Sequence, residues 1–146
     1  MATTAASAAP PRYSAPGAEV SLFRLYILRA MYLVLVVGLG AMILPEILGH
    51  ELTSRGVIPS LLGAVWLLAF LGFKYPLEMI PLLMFELAWK AIWMLFYGLP
   101  QWSAGRTPPT FAEDSFNIAF GAVLLLVIPW AYAWRHYVKR PGARWS

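Results

Sequence analysis

The sequence has no cysteine and few charged residues, which make up only 12% of its 146 residues. Without cysteine, the chain can form no disulfide, thiolate metal site or cysteine nucleophile. A soluble domain usually carries about 25% charged residues, so a share half as large indicates a protein embedded in lipid. Hydrophobic residues make up 60% of the chain, and its mean hydropathy of +0.66 favours the same conclusion.

The sequence also lacks the motifs of the common catalytic and nucleotide-binding families. It contains no phosphate-binding loop, nucleophile elbow or zinc-protease helix. Polar residues are scarce even near the ends of the apolar segments. We therefore expect a non-enzymatic protein without a cofactor, and bound lipid or quinone is the one ligand class that stays open.

The first 20 residues are rich in Ala, Pro and Ser and show no apolar periodicity. This composition predicts a disordered tail over residues 1–20. A cleaved signal peptide is the alternative. However, the next apolar run is longer than the usual signal core of about 7–15 residues, and it begins far from Met1. We therefore expect the folded domain to cover residues 21–138.

Four apolar segments follow the tail, and each is bounded by proline or glycine. A helix needs about 20 residues to cross the hydrocarbon of a bilayer, and backbone groups in lipid must bond within the protein. The pattern therefore predicts an all-α integral membrane protein, a four-helix bundle, with a kink at Pro129 in its last helix. The predicted spans are about 25–44, 58–73, 79–99 and 116–134.

Basic residues are divided unequally between the two sides that four spans would define. Arg55 and Arg106 flank one side, whereas the side with both termini holds Arg12, Arg24, Arg29, Lys74, Arg135, Lys139, Arg140 and Arg144. The positive-inside rule then predicts that both termini are cytoplasmic. The basic tail at 139–146 favours contact with anionic lipids over contact with nucleic acid.

Two ionisable residues, Glu86 and Lys90, interrupt the third span near its middle. A lone Asp, Lys or Arg at that depth costs roughly 2.5–3.5 kcal/mol. The two residues are four apart, with the acid first, which is the favourable order for an ion pair on one helical face. With ideal α-helical spacing, Trp93 and Tyr97 lie on the same face.

Two interpretations of the Glu86/Lys90 pair stay open. In the favoured one, the pair neutralises itself, orients the third helix and is buried within the bundle or against a neighbouring subunit, with Tyr97 completing its hydrogen bonds. The protein is then an accessory or interaction subunit of a membrane assembly, or a homo-oligomer. In the alternative, Glu86 is the coupling carboxylate of a small oligomeric ion- or proton-coupled transporter. The other spans offer few polar residues for such a relay.

Weaker candidate sites lie elsewhere in the chain. Trp89 in the third span and Arg29 in the first are candidates for contact with a ligand or a lipid. Glu46 and His50 have the i, i+4 spacing of metal ligands, but with only one histidine present in this stretch a solvated outer loop is the favoured explanation. His50 and His136 fall on opposite predicted sides, so one haem cannot bind both.

The stretch "FKYPLEMIPLLMFELAWKAIWMLFYGLPQW", residues 73–102, resembles a segment of small uncharacterised bacterial four-helix inner-membrane proteins. The resemblance implies a bacterial inner (cytoplasmic) membrane and no particular activity. In size the chain is also similar to small multidrug exporters and to DoxX-like proteins. Those exporters carry their membrane carboxylate in the first span, whereas Glu86 lies in the third, so their mechanism is not transferred.

Overall fold

The computed structural model of the protein describes residues 20–49, 56–106 and 111–142. Within these ranges the chain is all-helical, with 85% of residues in helices and no strand. The helices, in chain order, are α1 (Leu22–Leu48), α2 (Val57–Lys74), α3 (Ile80–Trp93), a first π-helical turn (Met94–Gly98), α4 (Leu99–Ser103), α5 (Phe111–Val127), α6 (Trp130–Ala133) and a second π-helical turn (Trp134–Val138).

Three continuous helices are long and apolar enough to cross a membrane. They are Leu22–Leu48, Val57–Lys74 and Ile80–Ser103. A fourth candidate span, Asp114–Val127 followed by Trp130–Val138, is bent by 66° at its break. The predicted all-α class is thus confirmed, and three to four helices are long and apolar enough to be the predicted membrane spans. Residues 1–19 of the predicted tail over 1–20, and residues 143–146 of the basic tail, lie outside the described residues.

Proline does not end the first helix where the sequence pattern predicted. The predicted first span stopped at residue 44, yet α1 continues through Pro45 to Leu48. The helix stops at Gly49, whose N–H donates to the Pro45 carbonyl over 3.0 Å. At its other end, the Ser21 hydroxyl accepts a hydrogen bond from the Arg24 N–H over 3.4 Å and caps the helix.

Glycines allow aromatic side chains to pack closely between α1 and α2. The indole of Trp66 donates to the Val36 carbonyl over 2.8 Å. A Cβ atom added to Gly40 would lie only 2.7 Å from the same indole nitrogen. Further along the pair, the ring of Tyr32 occupies the space that a Cβ on Gly72 would need. Small residues thus set the distance between these two helices.

The break before α6 follows from the chemistry of Pro129. Proline has no N–H and therefore cannot donate to the carbonyl four residues earlier, which belongs to Leu125. The indole of Trp130 takes that role and donates to the Leu125 carbonyl over 2.8 Å. The bend of 66° between the two helices is the kink that the sequence predicted at this proline.

The turn between α2 and α3 is tied to two distant parts of the chain. The buried Tyr32 hydroxyl, on α1, donates to the Pro76 carbonyl over 3.2 Å. The Tyr137 hydroxyl, in the second π-helical turn, donates to the Leu77 carbonyl over 2.9 Å. The first helix and the last helical segment are therefore both hydrogen-bonded to this turn, through two adjacent carbonyls.

Candidate functional site

The ionisable pair of α3 forms a short, buried salt bridge. The Nζ atom of Lys90 lies 2.6 Å from the Oε2 atom of Glu86. Glu86 is only 1% exposed and Lys90 is 7% exposed. Because the residues are four apart on one helix, the pair forms within α3 itself and needs no second helix to close it.

Helix α5 encloses the pair on its open side. The Lys90 Nζ atom lies 5.2 Å from the centre of the Phe120 ring. A Cβ atom added to Gly121 would lie 3.5 Å from Cδ of Lys90, so this glycine leaves room for the lysine stem. The pair therefore lies between α3 and α5 of the same chain. Of the two predicted placements, within the bundle or against a neighbouring subunit, this geometry corresponds to the first.

Trp89 is a third member of this cluster. Its indole Nε1 donates to Glu86 Oε2 over 3.2 Å, and its ring centre lies 3.9 Å from Lys90 Nζ. The ring thus gives Lys90 a cation–π contact while its N–H stabilises the carboxylate. We expected Trp89 to contact a ligand or a lipid, and its hydrogen bond to Glu86 was missed. The i, i+3 spacing from Glu86 was the available signal.

One oxygen of the carboxylate stands apart from these contacts. The Oε1 atom of Glu86 is buried and has no hydrogen-bond partner among the described residues. A buried polar atom in this condition costs roughly 1–3 kcal/mol relative to a satisfied one. It is also the atom at which a proton, or a donor from a ligand, would bind in this cluster.

Tyr97 does not complete the hydrogen bonds of the pair, contrary to the expectation. Its side chain is 59% exposed, and the first π-helical turn explains why. Such a turn inserts about one extra residue into an α-helix, so the residues beyond it rotate by up to ~100° relative to ideal spacing. Trp93, the last residue before this turn, is half-buried and packs near Gly98.

The other predicted site residues lie apart from the cluster. The guanidinium of Arg29 lies 5.8 Å from the Tyr26 ring, its neighbour on α1. Glu46 lies near the end of α1, whereas His50, its proposed metal-binding partner, is outside the described residues. Among the residues that the structure describes, no three His, Cys, Asp or Glu side chains group as metal ligands would.

Comparisons of the chain with known protein families, with curated proteins and with solved structures give no match. The resemblance of residues 73–102 to bacterial inner-membrane proteins therefore stays a prediction. Any functional assignment rests on the geometry of the helices and of the cluster formed by Glu86, Trp89 and Lys90.

Proposed function

We propose that this protein is a non-enzymatic accessory or interaction subunit of a membrane assembly. It lies in a bacterial inner membrane as a four-helix bundle with both termini in the cytoplasm. Its partner is another membrane subunit or a second copy of the chain. In this proposal the Glu86/Lys90 pair sets the rotation of α3, and one face of that helix contacts the partner.

The observation that supports the proposal best is the enclosure of the charged pair by α5. Turning Glu86 and Lys90 toward lipid would expose two charges to hydrocarbon, so the pair holds α3 in one rotation about its axis. That rotation leaves an outer surface of exposed apolar side chains on the third candidate span, Ile80–Ser103: Phe85, Ile92, Leu95, Phe96 and Leu99. Lipid tails accept any apolar face, whereas a protein partner requires a particular one.

The outer surface of the third span can be tested against a matched pair of phenylalanines on α1 and α2. Phe85 and Phe96 on this surface are 50% and 71% exposed, and Phe73 on α2 and Phe23 on α1 are 51% and 73% exposed. We expect Phe85→Ala with Phe96→Ala to abolish a complex of defined stoichiometry in mild detergent. Phe23→Ala with Phe73→Ala should leave that complex intact.

Purification from native membranes, followed by measurement of the mass of the complex, tests whether the protein is a subunit of an assembly. The wild-type chain should elute as a complex with a fixed ratio of subunits. A wild-type chain that elutes as a monomer contradicts the proposal. A complex that tolerates both double variants equally also contradicts it, because the outer surface of the third span would then have no special role.

The second candidate function is a small oligomeric ion- or proton-coupled transporter that uses Glu86. The buried Oε1 atom without a described partner favours it, since that atom offers a place for a proton. Elsewhere in the described helices, no other acidic residue lies in the middle of a span. This candidate requires pH-driven flux in proteoliposomes that Glu86→Gln abolishes while the chain stays folded. A Glu86→Gln protein with unchanged flux removes it.

A further inference from the structure

A cavity of about 250 Å³ lies between the beginning of α1 and the last helical segment. It is separate from the Glu86 cluster. Its polar lining comes from Ser21 and Arg24 on one side and from Tyr132 and Arg135 on the other. Two arginine residues, one from each side, therefore line one small volume.

The α1 side of the cavity carries more positive character than Arg24 alone. Ser21 caps α1, and its hydroxyl accepts from the Arg24 N–H. The remaining N–H groups of this first turn have no acceptor within the helix, and the helix dipole places partial positive charge there. An anion in the cavity would meet this helix end together with both arginines.

The other side of the cavity depends on the break at Pro129. This residue lines the cavity itself, and the bend of 66° carries the chain from α5 into the segment that holds Arg135. The Nε atom of Arg135 donates to the Ala131 carbonyl over 3.2 Å, which orients its side chain. The bond from Tyr137 to Leu77 anchors the same segment.

We propose that this cavity binds the phosphate ester of an anionic phospholipid. Guanidinium groups bind phosphate oxygens through paired, charge-assisted hydrogen bonds. Arg24 and Arg135 lie at the ends of two candidate spans, which is the level of lipid headgroups. Exposed apolar side chains flank the site and offer a surface for acyl chains: Leu22, Phe23, Tyr26 and Trp134. A lipid therefore fits better than a soluble phosphate.

Native mass spectrometry of the full-length protein tests this proposal. The detergent-purified chain is equilibrated with equal amounts of phosphatidylglycerol and phosphatidylcholine that have the same acyl chains. We expect one retained lipid, predominantly phosphatidylglycerol. Arg24→Gln and Arg135→Gln should each lower the ratio of bound phosphatidylglycerol to phosphatidylcholine by about tenfold, the effect of losing one charge-assisted hydrogen-bonded contact.

Lys74→Gln is the matched control, because it removes one positive charge from the end of α2, outside the cavity lining. It should leave the lipid ratio unchanged. Arg24→Lys and Arg135→Lys keep the charge and the fold, and we expect intermediate ratios since an ammonium group cannot bind two oxygens as a guanidinium does. These variants carry the test if either glutamine variant misfolds.

Three results would overturn the proposal. An unchanged lipid ratio in both arginine-to-glutamine variants would show that the cavity binds no headgroup. An equal loss in Lys74→Gln would show that general surface charge attracts the lipid. Inorganic phosphate provides the third arm: if it displaces the lipid at an ionic strength matched with sodium chloride, the ligand is a soluble phosphate.

Discussion

Trp89 and Lys90, neighbours in the sequence, donate hydrogen bonds to the same oxygen atom of Glu86, over 3.2 Å and 2.6 Å. Their positions three and four residues after the acid place both donors on its side of α3. The charge of Glu86 is thus compensated entirely by its own helix, while α5 excludes the surroundings. The stability lost on each substitution therefore depends on whether it leaves a buried charge without its partner.

Lys90→Met should be the most damaging single change in the cluster. It leaves the Glu86 carboxylate buried with one weak donor, and breaking a buried ion pair in this way costs about 3–5 kcal/mol. We expect a lower midpoint of thermal unfolding in detergent and a lower abundance in the membrane. Purification of this variant from native membranes should also yield less of any complex that the protein forms.

The double variant Glu86→Gln with Lys90→Met provides the control for this prediction. It removes both charges together, and a buried pair replaced as a unit often costs little. The double variant should therefore be more stable than Lys90→Met alone. If Lys90→Met and the double variant are both as stable as the wild type, the pair does not hold α3 in place.

Trp89→Phe isolates the hydrogen bond from the aromatic contact. Phenylalanine keeps a ring near the Lys90 ammonium group but removes the N–H that Glu86 Oε2 accepts. We expect a loss of about 1–3 kcal/mol in the free energy of unfolding, measured by reversible denaturation in mixed micelles. Trp93→Phe is the control, because the Trp93 indole makes no hydrogen bond within the described structure. If both variants lose the same stability, the N–H of Trp89 has no specific role.

Much of the fold follows from local sequence patterns. Long apolar runs predict the membrane-spanning helices, because lipid leaves the backbone no other way to satisfy its hydrogen bonds. The i, i+4 spacing of Glu86 and Lys90 predicts their contact without knowledge of any other helix. Pro129 predicts the kink for the same local reason, a missing N–H.

Features that depend on two distant segments could not be predicted. No local pattern indicates that the ring of Tyr32 passes over Gly72, forty residues later, or that Arg24 and Arg135 line one cavity. The prediction that Tyr97 lies on the face of Glu86 and Lys90 was wrong for a different reason. The first π-helical turn changes the helical spacing at Met94, and extrapolation with 3.6 residues per turn is wrong beyond that point.

Trp130→Phe tests how the break at Pro129 is stabilised. The substitution removes the donor that satisfies the Leu125 carbonyl, and an unsatisfied carbonyl facing lipid has no water to replace it. We expect a loss of about 1–3 kcal/mol and faster amide hydrogen exchange in the last helical segment. Trp134→Phe is the control, because the Trp134 side chain, four residues later, is exposed. It should change neither the stability nor the exchange rate. Identical exchange in the two variants would contradict this role of Trp130.

Gly72→Ala tests the close approach of α1 and α2. The added Cβ would overlap the ring of Tyr32, so the ring must shift and its hydrogen bond to the Pro76 carbonyl weakens. Overpacking of this kind costs about 1–3 kcal/mol. Gly38→Ala is the matched control, because a Cβ there meets nothing within 4 Å. Alanine favours the helix by up to about 1 kcal/mol, so Gly38→Ala should stabilise the protein.

The partner of Gly72 can be identified by a double-mutant cycle with Tyr32→Leu. Leucine is smaller than the tyrosine ring and removes the group that the new Cβ would overlap. If the ring causes the cost, Gly72→Ala should destabilise the Tyr32→Leu protein far less than the wild type, and the two changes should not be additive. Additive losses in thermal unfolding would mean that the cost arises elsewhere on the α1–α2 surface. In that case the fit between Tyr32 and Gly72 would not set the distance between these helices.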